Sequence, residues 1–340
     1  MIGSAGPQSL SSNSMSAENR YSEILKETSR AFYLSLAILP AGAREPLSLA
    51  YLLARAADTV ADSATDHKQD RAPTLRLMQT SLSSAVGELP TRLSLFHPEK
   101  EGERRLLAVY PRVVRLLDEA EEPIKRPIQD VVGTLIDGML WDQELFHQDG
   151  SLVGLSAEEL EKYTYLVAGC VGPFWSRVCA CSDSRLEHLT DQDEMAVEFG
   201  KALQWVNILR DIPQDQIEHR FYLPPLTSPE FSGAFLRGSH RALDAFDSAC
   251  RYPFLFPRFF VRHRLAVFLP LALGLRTLER LFRSGGPRHG ERVKVSRREV
   301  FGWLTVGLLA GCSNTVMKGI LANLRKRART SLRNMESNFV

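Results

Sequence analysis

Apolar side chains recur three and four positions apart through almost the whole chain after about residue 18, which is the period of a helix with one buried stripe. No stretch keeps the apolar/polar alternation, with β-branched and aromatic enrichment, that marks a sheet strand, so the pattern predicts an all-α fold. Helices are predicted over Glu18 to Leu39, Glu45 to Ala64, Ala72 to Val86, Glu103 to Ala120, Lys125 to His147, Ala157 to Cys181, Asp191 to Gln214, Ala242 to Phe256, Arg258 to Ser284 and Arg297 to Arg333. Two starts carry a capping box, Ser156-Ala-Glu-Glu159 and Ser296-Arg-Arg-Glu299, in which a hydroxyl and a carboxylate satisfy the first free N–H groups. Asp66 to Arg71, Leu89 to Gly102, Pro224 to Gly238 and Gly285 to Val295 read as loops, and none has the composition of an interdomain linker. Residues 1–18 are rich in Ser, Asn and Gly and are expected to be a disordered tail. With no repeat of solenoid length, residues 19–333 read as one helical domain followed by a short tail, 334–340.

Composition changes this picture little. Of 340 residues, 44% are hydrophobic and 24% charged, and 42 basic against 40 acidic residues leave +2, too little for a general nucleic-acid binder. Cys170, Cys179, Cys181, Cys250 and Cys312 are odd in number, lack a C-x-x-C spacing and sit in apolar segments, which fits a reducing compartment. The first apolar stretch, Ala31 to Ala43, follows some thirty mostly polar residues and contains Pro40, so no cleavable signal is expected. Val300 to Met317 is free of charge and just long enough to span a bilayer, but its glycines and its Cys312-Ser-Asn-Thr315 cluster favour a buried amphipathic helix.

The candidate chemistry lies in two polar stripes on otherwise apolar helices. In Leu47 to Asp62, Tyr51, Arg55, Asp58 and Asp62 are spaced four, three and four, and fall within a stripe roughly 60° wide. In Ala202 to Asp215, Gln204, Asn207, Asp211 and Asp215 share a face, with Arg210 beside it. The plain alternative is the solvated side of a surface helix, and the Asp66/Asp70 pair, surrounded by polar residues, is assigned to solvent as an internal control. The two stripes differ in being flanked by apolar residues, and paired carboxylates facing a cavity need a cation. Mg²⁺ meets that need with one or two carboxylates, sharing its other positions with water and phosphate oxygens. Arg55 and Arg210 then either contact phosphate or pair with their neighbouring aspartates. Pro213, inside the second stripe, predicts a kink or helix end and leaves Asp215 less firmly placed than Asp211.

Four blocks in order resemble the squalene and phytoene synthase family: Ser29-Arg-Ala-Phe32, YLLARAADTVAD from Tyr51, YTYLVAGCVG from Tyr163, and QWVNILRDIPQD from Gln204 followed by HRFYLP. The resemblance implies a single isoprenoid synthase type helical domain with a central active-site cavity. It implies metal-binding roles for Asp58, Asp62, Asn207, Asp211 and Asp215, and diphosphate contacts from Ser29, Arg30, Tyr51, Arg55, Gln204, Arg210 and Arg220. The chain departs from the pattern at Ala31, where a hydroxyl residue is common, and at Leu166, where eukaryotic squalene synthases carry a tyrosine before Val-Ala-Gly. In its placement of Tyr165 it is similar to the bacterial branch. Gly169 and Gly172 each cost about 1 kcal/mol in a helix relative to Ala, so either something approaches closely there or the helix is simply kinked.

By this resemblance the expected substrate is farnesyl diphosphate, two molecules of which condense head to head through presqualene diphosphate to squalene, with Mg²⁺ and NADPH as cofactors. Phe32, Tyr51, Phe174 and Trp205 are candidates to line the cavity, and Tyr51, Tyr163, Tyr165 or the released diphosphate to accept the proton. Competing readings are a dehydrosqualene, phytoene or presqualene diphosphate synthase without the reduction, and a noncatalytic assembly factor. No G-x-G-x-x-G is present, so NADPH is expected at the basic loop Arg288, His289, Arg292, Lys294, Arg297 and Arg298, whose plain alternative is a solvated loop. The chain is expected in the cytoplasm, and Arg325, Lys326, Arg327, Arg329 and Arg333 are candidates for peripheral contact with the inner face of a membrane. Oligomeric state is not legible.

Overall fold

In the computed structural model the described residues are 24–28, 32–63, 68–147, 154–288 and 293–337, and among them there is no β-strand. After a helical segment at 24–28, the helices are α1 (Phe32–Ile38), α2 (Ala41–Ala61), α3 (Arg71–Ser81), α4 (Leu89–Leu93), α5 (Glu101–Asp118), α6 (Glu122–His147) and α7 (Ala157–Thr164). They continue as α8 (Val171–Ser182), α9 (Asp193–Ile217), α10 (Phe231–Ala249), α11 (Val261–Arg283), α12 (Arg297–Cys312) and α13 (Asn314–Glu336). The expected tail 1–18 lies outside the described residues, whereas α13 runs three residues past the expected domain end at 333.

Two apolar cores organise the bundle. One is built on α2, α5, α6 and α8 around Leu53, Tyr110, Ile136 and Cys179, and the other on α9, α10, α11 and α13 around Leu209, Phe246, Leu275 and Met317. Helix α9 packs against both α8 and α10, and α2 against α5, α6 and α8, so the two striped helices are inner members of the bundle.

Both capping boxes form, with Ser156 accepting from the Glu159 amide and Ser296 from the Glu299 amide while each glutamate reaches back. Several boundaries differ from expectation for local reasons. The segment predicted as a loop up to Gly238 is helical from Phe231, because Phe231, Phe235, Leu243 and Phe246 bury one continuous face. The predicted helix from Arg297 to Arg333 breaks at Ser313, whose backbone is extended (φ −136°, ψ 120°) and whose side chain caps the Val316 amide. The predicted helix from Ala157 to Cys181 is interrupted by a π-helical turn, Tyr165–Gly169, where the Cys170 amide reaches the Tyr165 carbonyl at 2.9 Å. Pro213 does not end α9, which continues two residues beyond Asp215. Asp70 is not solvated as assigned but pairs with Arg92 at 3.0 Å, tying α3 to α4, and Asp66 lies outside the described residues.

The glycines of the Val-Ala-Gly-Cys-Val-Gly run have a structural account. A Cβ on Gly172 would stand 1.9 Å from the Ala196 carbonyl oxygen, and one on Gly200 2.2 Å from that of Ala168. Two glycines thus let the backbones of α8 and the π turn lie directly on α9. Of the candidate aromatics, Trp205 is core, its ring filling the space beside Gly238, and Phe174 is likewise buried.

Candidate active site

The first stripe runs down α2. The Tyr51 hydroxyl donates to the Thr28 carbonyl at 3.1 Å, Arg55 pairs with Asp58, and the other arm of Arg55 reaches Glu103 of α5 at 2.5 Å. Glu103 also accepts from Lys100 at 2.8 Å. Burial would raise its carboxyl, but Lys100 and Arg55 outweigh burial and hold it below the ordinary value. Asp62 caps the end of α2. On α9, Arg210 donates through Nε to Asp211 at 2.9 Å and through Nη2 to Asn207 at 3.0 Å, while Asn207 donates to Gln204 at 3.3 Å. In this arrangement Arg55 and Arg210 take the plainer of their two predicted options.

The stripes meet at Arg220. Its guanidinium contacts Asp62 of the first stripe and Asp215 of the second, each at 3.2 Å, and Glu218 at 2.6 Å. The turn that brings it back is built by His219, which sits in the left-handed region (φ 60°), with the Arg220 amide returning to the Asp215 carbonyl at 2.8 Å. The continuous helix through Pro213 keeps Asp211 and Asp215 one turn apart on one helix face. One arginine therefore spans the gap between two acidic helices.

The site holds more negative charge than its arginines balance. Burial, then the like charge of Asp62, pushes the Asp58 carboxyl up to about 6 despite Arg55. Burial likewise pushes Asp215 up to about 7, with Asp211 and Glu218 adding to the shift and Arg220 opposing it. A divalent cation would relieve this charge. Among the described residues no three His, Cys, Asp or Glu side chains converge as a ready-made cage. The donor set is therefore paired carboxylates on facing helices, which fits Mg²⁺ completed by water and phosphate oxygens rather than by protein alone.

Beside the Arg220 turn runs a buried relay that the sequence reading found only in part. Tyr163 donates its hydroxyl to Tyr222 at 2.8 Å, and Tyr222 donates to Asp142 of α6 at 2.7 Å. The Tyr163 and Tyr222 rings stack at 4.6 Å between centroids, and burial pushes both hydroxyls well above the ordinary tyrosine value. Tyr165 does not join them. Two residues on, its side chain points away, 43% exposed, into a recess of about 570 Å³ shared with Thr134, Phe174 and Arg177 and lined by none of the striped aspartates. Ser29 and Arg30 lie outside the described residues, and of Phe32 only the backbone at the start of α1 is described.

Glu103, Asp142, Tyr222 and Glu218 were not singled out in the sequence. Tyr222 and Glu218 flank Arg220 closely enough for the HRFYLP block to point to them, whereas Glu103 and Asp142 reach the site only through tertiary contact. At the predicted NADPH loop, 289–292 lie outside the described residues, and the start of α12 is filled by its own Ser296 and Glu299, the latter paired with Arg276 at 3.3 Å and Arg280 at 2.7 Å.

Comparison with known proteins identifies the family and the fold. A family profile described as Squalene/phytoene synthase matches residues 25–227, well over half of the chain. A squalene synthase of Schizosaccharomyces pombe is 27% identical over 213 residues, 63% of this chain and 45% of that protein, and one of Rattus norvegicus is 29% identical over 63% and 47%. A bifunctional lycopene cyclase/phytoene synthase of Blakeslea trispora is 29% identical over 59% of this chain and 32% of its own length. The chain thus spans less than half the length of these curated relatives. A solved complex of TcSQS with a ligand superposes with a TM-score of 0.69 at 19% identity, covering 94% of this chain and 98% of that one. A dehydrosqualene synthase in complex with a ligand gives 0.58 at 19% identity, over 86% and 95%. Both share the fold.

Proposed function

The chain belongs to the squalene/phytoene synthase family, and on that premise we propose that it joins two farnesyl diphosphates head to head, through presqualene diphosphate, to squalene. The observation that carries this reading is the Arg220 bridge between Asp62 and Asp215, which sets two carboxylate-bearing helices face to face across one gap. Asp58 and Asp62 on one side, and Asn207, Asp211 and Asp215 on the other, would hold Mg²⁺. Bound there, the metal would neutralise charge developing on a departing diphosphate.

The protein's own groups supply the rest. Arg55, Arg210 and Arg220 each rest on a carboxylate. With the carboxylates neutralised, those guanidinium forks would be free to turn toward phosphate oxygens, which they match bidentately. When the double bond of the second substrate has attacked the first allylic carbon, closing the cyclopropane requires loss of a proton. In the donor pattern seen here the Tyr163 hydroxyl points its hydrogen at Tyr222, leaving a lone pair to accept a proton as its own moves on. A proton taken at Tyr163 can pass by hydroxyl hops to Tyr222 and then to Asp142, so neither tyrosine need ionise.

The final reduction rests on the squalene synthase relatives alone. Among the described residues the start of α12 is occupied by its own Ser296 and Glu299, and no chemistry here is assigned to NADPH. Mass spectrometry of the products from farnesyl diphosphate and Mg²⁺, with and without NADPH, tests the reading. Squalene appearing only with NADPH is expected. Dehydrosqualene in both cases would assign the protein to the unreduced branch, and no condensed product would overturn the proposal.

A further inference from the structure

Helix α12 is docked tightly on one side and bare on the other. On its inner face, Gly307 lies against Leu265 and Phe268 and Gly311 against Val261, at distances where a Cβ would meet side chains at 2.4 to 3.0 Å, and the Trp303 ring sits 6.4 Å from that of Phe268. Its outer face, from Arg298 through Phe301, Thr305, Leu308 and Leu309 to Cys312, falls within an arc of roughly 120°. Phe301 is 65% exposed, Leu308 53%, Leu309 69%, and Val316 just beyond the Ser313 break 44%. These are four of the seven exposed large hydrophobic side chains among the described residues, gathered on sixteen consecutive positions. The helix expected from the sequence to be buried and amphipathic is buried on one side only and carries apolar groups on both.

The charge along this stretch of the chain is of one sign. Between Glu299 and Glu336 the sequence contains no Asp or Glu, although such residues number 40 in the chain of 340. Arg297 and Arg298 stand exposed at one end of the apolar strip, and Lys318 at the other. Glu299 is turned inward onto Arg276 and Arg280. Of the five C-terminal cations expected to meet a membrane, three are spent inside the fold. Arg325 pairs with Asp247 at 3.0 Å, Arg327 with Glu279 at 2.8 Å, and Arg329 with Asp247 at 2.5 Å.

We propose that the outer face of α12, with the start of α13, lies on the surface of a bilayer containing anionic lipid, its apolar strip entering the headgroup boundary and Arg297, Arg298 and Lys318 meeting lipid phosphates. An apolar face with cations at both ends, on a stretch of chain that carries no carboxylate between Glu299 and Glu336, suits that interface. No helix among the described residues is long and apolar enough to cross a membrane, so the contact is one of lying on the surface. The inference rests on this face alone and holds whichever product the enzyme makes.

The test is co-sedimentation of the full chain with vesicles of phosphatidylcholine containing phosphatidylglycerol, beside vesicles of phosphatidylcholine alone. The double variant Phe301→Glu/Leu309→Glu changes two exposed positions, and an unchanged thermal melt confirms its fold. Binding to the anionic vesicles is expected to fall ~10-fold or more, since two apolar contacts become charges repelled by the surface. A second readout needs no change to the face. Cys181 and Cys312 are the exposed thiols, so an environment-sensitive fluorophore on Cys312 in a Cys181→Ser background is expected to shift to the blue when anionic vesicles are added. The proposal is overturned by failure of the unaltered chain to bind, by undiminished binding of the double variant, or by an unshifted fluorophore. It is overturned equally by lipid-free dimers that the double variant dissolves, since a second copy would then be what covers the face.

Discussion

Replacing Gly172 with alanine should loosen the bundle at the point that positions the second acidic stripe. The added Cβ would stand 1.9 Å from the Ala196 carbonyl oxygen and 2.3 Å from its carbon. Carbon and carbonyl oxygen settle at about 3.3 Å or more, so the backbones must part by roughly 1.4 Å. Neither side can yield by rotating a side chain, because the obstacle is main chain. Overpacking of this kind costs about 1 to 3 kcal/mol and occasionally more, while the helix recovers up to about 1 kcal/mol when glycine becomes alanine. A rigid obstacle places the cost at the upper end, for a net loss of about 2 kcal/mol. Because α9 carries Asn207, Asp211 and Asp215, its displacement should also lower activity. Urea unfolding read by circular dichroism measures the loss. Gly169→Ala is the control, since its Cβ meets only side-chain atoms of Tyr165, Val197 and Lys201 at 3.3 to 3.4 Å. A Gly172→Ala protein within about 0.5 kcal/mol of the parent would show that the two backbones do not touch.

Three further outcomes follow from particular groups. Tyr222→Phe breaks the relay between Tyr163 and Asp142 and should lower product formation by ~10²-fold, whereas Tyr165→Phe, on the outward recess, should leave it within about twofold; initial rates on farnesyl diphosphate compare them. His219→Gly relieves a left-handed backbone that costs an L-residue about 1 to 2 kcal/mol, less what glycine gives back in unfolded-chain entropy, so stability in urea should rise by about 0.5 to 1 kcal/mol. His263 is held down to about 4 by burial, with Asp183 opposing and Arg262 assisting. Its folded value lies below the unfolded one, so stability is unaffected above pH 6.5 and falls as pH drops from there toward 4, by about 3 kcal/mol in all. His263→Leu should flatten that slope in a pH series of unfolding curves.

The stripes were legible in the sequence because both properties that define them are local: apolar neighbours and carboxylates one turn apart. Arg55, Asp58, Asp62, Asn207, Asp211 and Asp215 stand where helical periodicity places them, and the capping boxes at Ser156 and Ser296 formed for the same reason. What periodicity does not carry is how a helix is interrupted or what it meets. Tyr163 and Tyr165 looked equivalent as candidates, yet residues two apart on a helix face opposite ways, and only Tyr163 meets Tyr222. Ser313-Asn314 is an ordinary capping signal hidden inside a long apolar run. Pro213 was given too much weight, because its missing N–H costs one bond while the buried Ile208, Leu209 and Ile212 hold the turn around it. Glu103 and Asp142 belong to helices far away in sequence, so only the packing of α5 on α2, and of α6 beside the Arg220 turn, reveals them.

In the proposed function α2 and α9 together form one diphosphate site. The most direct measurement is pyrophosphate release from farnesyl diphosphate, with and without Mg²⁺, by the unaltered protein and by Asp58→Asn and Asp211→Asn, with circular dichroism confirming that each variant stays helical. Mg²⁺-dependent release by the unaltered protein, reduced ~10²-fold or more by either substitution, is the predicted result. Full release by a protein lacking either carboxylate would contradict a site shared between the two helices.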